Sequence, residues 1–297
     1  MARSDWRRPD SYPYADGCQR RICLIVAYDG SAYSGWQRQQ NAHSVQAAIE
    51  AALERMTGHH LEVVGSGRTD SGVHALGQAA HFDFPDTRFA PDVFKKALNA
   101  LLPSTVRIMD SREVDDTFHA RFTAMARQYR YLMKRQREMT PFDSGRVWAV
   151  RDFPDLELLQ SHAKTVEGTH DFTTFTGSGD GCERRHRDIY ESRFSLEKDI
   201  HGAEVLVYTI CGNAFLYKMV RSLVGTMFFL ARDGYPGQEM ARRLAACDRT
   251  LAGPTAVPQG LYLSRISFDP KEYAWFEQQH APVGDVGDGH GGRDECI

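Results

Sequence analysis

The sequence predicts an α+β protein built from two pseudo-symmetric split-βαβ halves, with largely antiparallel sheets meeting at a central cleft. Three observations carry this. Short runs alternate apolar and polar residues, as strands do, and longer runs repeat apolar residues at helical spacing. In the first 115 residues these runs follow the order strand, helix, strand, strand, helix, strand, which is the split βαβ unit. A looser version of the same order follows it. A length of 297 residues allows two lobes or one large domain. With 42% hydrophobic and 25% charged residues, the composition is that of a globular protein with a sizeable core.

Arg21–Tyr28 reads as the first strand. Ser44–Thr57 reads as a helix, with Ser44 as N-cap and apolar residues at Val45, Ala48, Ile49, Ala52, Leu53 and Met56. Strands follow at Leu61–Val64 and Gln78–Phe84. Pro91–Leu101 reads as a helix with proline in its first turn, and Thr105–Val114 as the fourth strand. In the second half Gln128–Lys134 is strand-like and Leu156–Val166 helical. Ile189–Glu197 and Glu204–Ile210 make a hairpin across Lys198–Ala203. Ala214–Ala231 reads as a helix behind Asn213 as N-cap, Met240–Ala246 as a short helix and Gly260–Phe268 as the closing strand. Both halves are then ferredoxin/RRM-like.

The expected domain plan is an arm over residues 1–20, an N-terminal half over 21–125, a C-terminal half over 126–272 and an acidic, Gly-rich tail over 273–297. Arm and tail lack periodicity and read as flexible. His280, His290 and Cys296 in the tail are poorly spaced for a metal. Six cysteines without a Cys-x-x-Cys pair fit reduced thiols in a cytosol and argue against zinc. The N-terminus carries no apolar signal segment. The longest apolar helical pattern, Phe215–Ala231, contains Lys218 and Arg221 and reads as a core helix, so no membrane partner is expected.

The net charge of −3 is unevenly spread. Residues 269–297 hold seven acids and two bases, which leaves residues 1–268 at +2. His119–Arg137 holds six Lys and Arg and no acid, and Cys182–Arg187 adds three arginines and a histidine against one acid. Such stretches can bind a polyanion; charge alone favours reading them as solvated faces. Arg130 and Lys134 flank Tyr131 on one strand, so the bases of that run cannot all face one partner.

The most informative stretch is Gly65–Phe82, where Asp70 stands in a Gly-rich loop between two strands. A phosphate-cradling loop requires Lys-Ser/Thr after its last glycine, and here Val73-His74 follows Gly72. In the dinucleotide fingerprint starting at Gly65, Asp70 stands where the last glycine is needed. Composition alone makes the string a surface turn. The whole string resembles the catalytic loop of the TruA family of tRNA pseudouridine synthases, Gly-Arg-Thr-Asp-x-Gly-Val-His-x-x-x-Gln, complete from Gly67 to Gln78. Tyr28–Ser31 with Gly35–Gln39, Phe118–Phe122 with Ala126–Tyr131, Asn213–Gly225 and Gly260–Leu263 are similar to the family's other motifs, in the same order. The resemblance spans roughly residues 21–268 and is poor over Gly177–Arg187.

The resemblance implies an isomerase that converts uridines 38, 39 and 40 of the tRNA anticodon stem-loop to pseudouridine, a pseudo-symmetric α+β fold and a homodimer. It implies that Asp70 is catalytic, that Tyr129 stacks on the target base, that Leu261 lines its other side, and that Arg221 accompanies the acid. Arg68, two residues before Asp70, is a candidate for a phosphate contact or for the gap left by a flipped base. His74 reads as a structural hydrogen-bonder and Tyr131 as core. The chemistry is redox-neutral and an ionised carboxylate suffices, so no cofactor and no metal are expected. A charged Asp70 in a cleft needs an opposing cation, and Arg221, set among Val220, Leu223 and Val224, needs a partner. Three competing readings are an RNA-binding protein without catalysis, a hydrolase using paired carboxylates such as Asp70 and Asp83, and a relative with different target uridines.

Overall fold

The computed structural model describes residues 20–85 and 89–269. The expected arm lies outside them except for Arg20, and so does the expected tail. The described chain divides into two compact units. The first takes in the residues up to Ala124 together with Phe142–Arg146 and Pro258–Ile266; the second takes in Met125–Pro141, Val147–Val257 and the residues from Ser267 on.

In the first unit the elements run β1 (Arg20–Tyr28), α1 (Val45–Thr57), β2 (Val64–Gly65), β3 (His74–Phe84), α2 (Pro91–Leu101) and β4 (Val106–Val114). β1 pairs antiparallel with both β3 and β4. The other edge of β3 is shared: β2 runs antiparallel beside His81 and Ala80, and the late strand β10 (Leu261–Ser267) runs parallel beside His74 and Ala75. Ser44 caps α1 as expected, its side chain accepting from the Ala47 amide, and Gly58 ends the helix in the left-handed region. Pro91 opens α2. α2 packs on β4 and beside α1. Phe82 and Phe84 of β3 meet Phe94 of α2 edge to face, at 5.2 and 5.4 Å between ring centres.

The strand expected over Leu61–Val64 is only Val64–Gly65. Leu61 and Val63 are buried as a strand reading requires. The Val63 backbone, however, bonds to side chains of α1: its amide donates to Glu50 and its carbonyl accepts from Gln46. Both backbone groups are satisfied, so no partner strand is needed there.

The second unit runs β5 (Ala126–Arg135), β6 (Trp148–Val150), α3 (Leu156–Lys164), β7 (Gly168–Asp171), β8 (His186–Lys198), β9 (Glu204–Gly212), α4 (Met219–Arg232) and α5 (Gly237–Ala245). Its strands order β5-β9-β8-β7, all antiparallel, with β6 parallel on β5. α3 lies against β8, and α4 and α5 pack with α3. The β8–β9 hairpin turns where Asp199 accepts from the His201 and Ala203 amides.

α4 starts at Met219, five residues later than Ala214, and Asn213 is not its N-cap. The Asn213 side chain instead donates to the Asp188 carboxylate and accepts from the Asp188 amide, at 2.6 and 3.1 Å, and so ties the end of β9 to β8. Lys218 stands at the N-cap in the left-handed region, with φ 59°. The chain is mixed α+β, and its strand pairing is mostly antiparallel. Among the described residues no helix is long and apolar enough to cross a membrane.

Candidate active site

Asp70 sits, half-buried, in the loop of residues 66–73 that joins β2 to β3 in the first unit. Groups on both sides pin that loop. At its start the Gln78 side chain accepts from the Ser66 hydroxyl at 2.5 Å and donates to the Gly67 carbonyl at 2.6 Å. Thr69 is buried, shares a 2.8 Å hydrogen bond with the Tyr28 hydroxyl, and accepts from the Trp36 amide through its carbonyl. After Asp70, the Ser71 hydroxyl and the Gly72 amide both donate to the Tyr33 carbonyl.

Two glycines let the segment of residues 28–36 lie against this loop. A Cβ on Gly30 would fall 1.9 Å from the Val73 carbonyl oxygen. One on Gly35, which has φ +94°, would fall 2.4 Å from the Thr69 carbonyl oxygen. Trp36 closes over Gly65 in the same way. The Gly30-Ser31 and Gly35-Trp36 pieces of the motif over residues 28–39 are therefore the cradle of the Asp70 loop.

His74, the first residue of β3, is the hinge pin of the cradle. Its Nδ1 accepts from the Gly30 amide at 3.0 Å, so the ring proton is on Nε2, which faces the Gly145 and Gln259 carbonyls at 2.9 and 3.0 Å. Burial lowers its pKa below the ordinary imidazole value, against the opposing charge of Asp29 3.4 Å away. Tyr262 stacks on the ring at 4.6 Å and donates to the Arg146 carbonyl. Arg146 in turn ion-pairs with Asp29. Burial works to raise the Asp29 pKa, but bonds from Ser31 and the nearby His74 and Arg146 outweigh it and hold the carboxyl below its ordinary value. Both ring nitrogens of His74 are occupied by backbone, as a structural role requires.

The remaining candidates of the first unit are Arg68 and Leu261. Arg68 is exposed and donates from Nε to the Gln37 side chain at 3.1 Å. Leu261 is buried and opens β10, whose next residue, Tyr262, lies in register with His74.

In the second unit Tyr129 is buried on β5, edge-on to Phe215 at 5.1 Å. Tyr131 is fully buried and donates its hydroxyl to the Val257 carbonyl. Arg221, in the first turn of α4, donates from Nε to the Ala256 carbonyl at 2.8 Å, and the Ala256 amide returns a bond to the Arg221 carbonyl at 3.0 Å. Gly225 makes this possible, because a Cβ there would stand 1.8 Å from the Pro254 carbonyl oxygen. The guanidinium is thus held at its neck by the segment of residues 254–256.

A family model described as tRNA pseudouridine synthase matches residues 24–123 and 162–269. The chain is 42% identical over 261 residues to tRNA pseudouridine synthase A of Chlamydia felis, covering 86% of this chain and 94% of that one. It is 40% identical over 250 residues to the protein of the same description from an Exiguobacterium species, covering 84% and 98%. A third, from Treponema denticola, is 39% identical over 255 residues, covering 84% and 93%. The chain belongs to the TruA family of tRNA pseudouridine synthases. It is an isomerase that modifies tRNA.

In this synthase the basic run is spent largely on internal partners. Arg130 pairs with Glu197, Lys134 with Asp199, Arg135 with Glu204 and Glu138, and Arg137 with Asp152. Arg127 is buried and donates to the Asn213 carbonyl. The bond from buried Lys134 draws Asp199 down to about 2. The segment Gly177–Arg187 folds on Asp180, whose carboxylate accepts from Thr176, the Cys182 amide and the Tyr217 amide. Cys23, Cys211 and Cys247 form no disulfide among the described residues. Among the described residues no three His, Cys, Asp or Glu side chains are grouped to hold a metal. Sequence reasoning gave no role to Gly30, Gly35, Gln37, Gln78 or Gly225. The signal available for them was their place inside the quoted motifs.

Proposed function

We propose that this synthase isomerises uridines 38, 39 and 40 in the anticodon stem-loop of tRNA, with Asp70 as the catalytic carboxylate. The reaction breaks the bond from C1′ to N1, turns the uracil and joins C1′ to C5. The C5 proton leaves, N1 gains a proton, and the RNA mass is unchanged. Asp70 acts as nucleophile or base at C1′, C2′ or C6. The target base must first leave its stack. Tyr129 supplies a stacking face, Leu261 an apolar contact, and Arg68 and Arg221 cationic contacts to the nucleotide. The enzyme needs neither metal nor cofactor, works as a cytoplasmic homodimer, and repeats the split βαβ plan in its C-terminal half.

The observation that carries this reading is the loop itself. An ionisable oxygen that a surface turn would leave mobile is here flanked by a backbone fixed through Gln78, Tyr28, Trp36 and Tyr33. That is the preorganisation a reacting group requires. Replacing Asp70 by Asn tests it. Tritium release from C5-labelled uridine in tRNA should fall more than ~10³-fold, while filter binding of tRNA persists. Loss of binding along with activity would make Asp70 structural. The hydrolase reading is disfavoured because both oxygens of Asp83 are taken by Arg21, at 2.9 and 3.0 Å. Hydrolysis would also add the mass of water to the products, which mass spectrometry reads directly. Chelation is expected to leave activity intact, and sharp metal dependence would contradict the proposed chemistry.

A further inference from the structure

A chain of amides runs from the interior of the first unit to Arg68. Gln46 and Glu50, four residues apart on α1 and therefore on one face, are each 3% exposed. The Gln46 amide nitrogen donates to the Glu50 carboxylate at 3.0 Å and to the Val63 carbonyl at 3.1 Å. Both of those groups only accept, so the Gln46 oxygen must face the other way. There it receives the Arg38 amide and the Gln37 side-chain nitrogen, both at 2.9 Å. That leaves the Gln37 oxygen to face Arg68, whose Nε donates to it at 3.1 Å. Every bond in the series points toward the buried carboxylate, whose other oxygen is held by Arg38 at 2.9 Å. Among the described residues, this bond to Gln37 is the only hydrogen bond Arg68 makes, and it leaves the terminal Nη1 and Nη2 as an open planar fork.

We infer that Gln37, Gln46 and Glu50 are positioning residues, a polarised relay that presents an acceptor to Arg68 Nε and so aims its fork at the substrate. The inference rests on the reading of Arg68 as a substrate-binding residue. A buried carboxylate decides the orientation of Gln46, Gln46 decides that of Gln37, and Gln37 decides where the guanidinium points. Without the relay the exposed arginine would have to be ordered afresh at each encounter, at a cost in side-chain entropy. A merely architectural role, the anchoring of residues 36–38 to α1, would act whether or not Arg68 is present. That difference makes the two separable.

The test is a double-mutant cycle on tritium release with full-length enzyme and unmodified tRNA. Gln37→Met keeps the length of the side chain and removes its acceptor. It should lower kcat/KM about tenfold in the wild-type background and less than twofold in the Arg68→Met background, with the urea midpoint unchanged. Equal losses in both backgrounds, or no loss from Gln37→Met, would overturn the relay while leaving the role of Arg68 in place. An Arg68→Met enzyme with full kcat/KM would overturn the substrate-binding reading, and the relay with it.

Discussion

Gly30 has no room for a single methyl group, and that fact sets how the Asp70 loop answers to mutation. An alanine Cβ would stand 1.9 Å from the Val73 carbonyl oxygen, so either the loop or the segment of residues 28–36 must move. Overpacking of this kind costs roughly 1–3 kcal/mol, and the shift falls on the backbone that carries Asp70. Gly30→Ala is expected to lose at least ~10-fold in tritium release at a temperature where circular dichroism still reports a folded chain. Gly58→Ala is its control: φ is +75°, nothing lies within 4 Å of the added Cβ, and the position only closes α1. It should cost about 1 kcal/mol of stability and no activity. His119 gives the pH dependence of the same unit. Burial, then the charges of Arg21 and Arg121, push its pKa down to about 4. Its Nδ1 accepts from the Arg121 and Phe122 amides, and a protonated ring could not. A lowered folded pKa means the unfolded chain binds the proton first as pH falls. The contribution is therefore complete above the unfolded value near 6.5 and is lost between there and about 4, amounting to about 3 kcal/mol. His119→Asn, which keeps an acceptor and does not titrate, should flatten the urea midpoint across that window. An unchanged slope would place the acid sensitivity elsewhere.

At the scale of elements, the helices and long strands were legible wherever the periodic residues also had nothing better to bond with. Ser44 and Pro91 marked α1 and α2 correctly because each serves its own helix terminus. Two of the misreadings share one cause. Val63 and Asn213 both look like members of the next regular element, and in each case a side chain far away in sequence takes the hydrogen bonds that element would have used. Local pattern cannot show a partner 13 or 25 residues distant. Asn213→Ala should accordingly leave the helical signal of α4 unchanged and cost about 1–2 kcal/mol through the lost tie to Asp188. Gly225→Ala should act on α4 quite differently. The helix tolerates alanine better than glycine, yet the new methyl would stand 1.8 Å from the Pro254 carbonyl oxygen. Displacing residues 254–256 removes the Ala256 carbonyl from Arg221 Nε. Activity should fall at least ~10-fold; an active Gly225→Ala enzyme would show that the hold on Arg221 is dispensable.

At the scale of the whole molecule, charge is where sequence and structure part furthest. The candidate catalytic motif was legible because Gly67–Gln78 is complete as a string. Its supports were not, because Tyr28, Gln37 and Tyr33 become supports only once folding brings them to the loop. The basic run His119–Arg137 shows the converse. A string of six bases with no acid looks like a polyanion site, but the acids that answer it, Asp152, Glu197, Asp199 and Glu204, lie further along the chain. The exposed pairs among them add little stability, yet every pair, that of buried Lys134 included, has a carboxylate competing with any phosphate for the same cation. Binding of tRNA should therefore draw little on them. Each phosphate neutralised contributes roughly −0.7 to −0.9 to the slope of log K against log salt. Replacing Arg130, Arg135 and Arg137 together by Gln is expected to change that slope by less than about one. Arg68→Gln, which removes a cation with no carboxylate partner among the described residues, should by itself reduce the slope by about one. Filter binding from low to moderate salt measures both. A loss of two to three in the triple variant would mean that the arginines of this run abandon their carboxylates for the RNA.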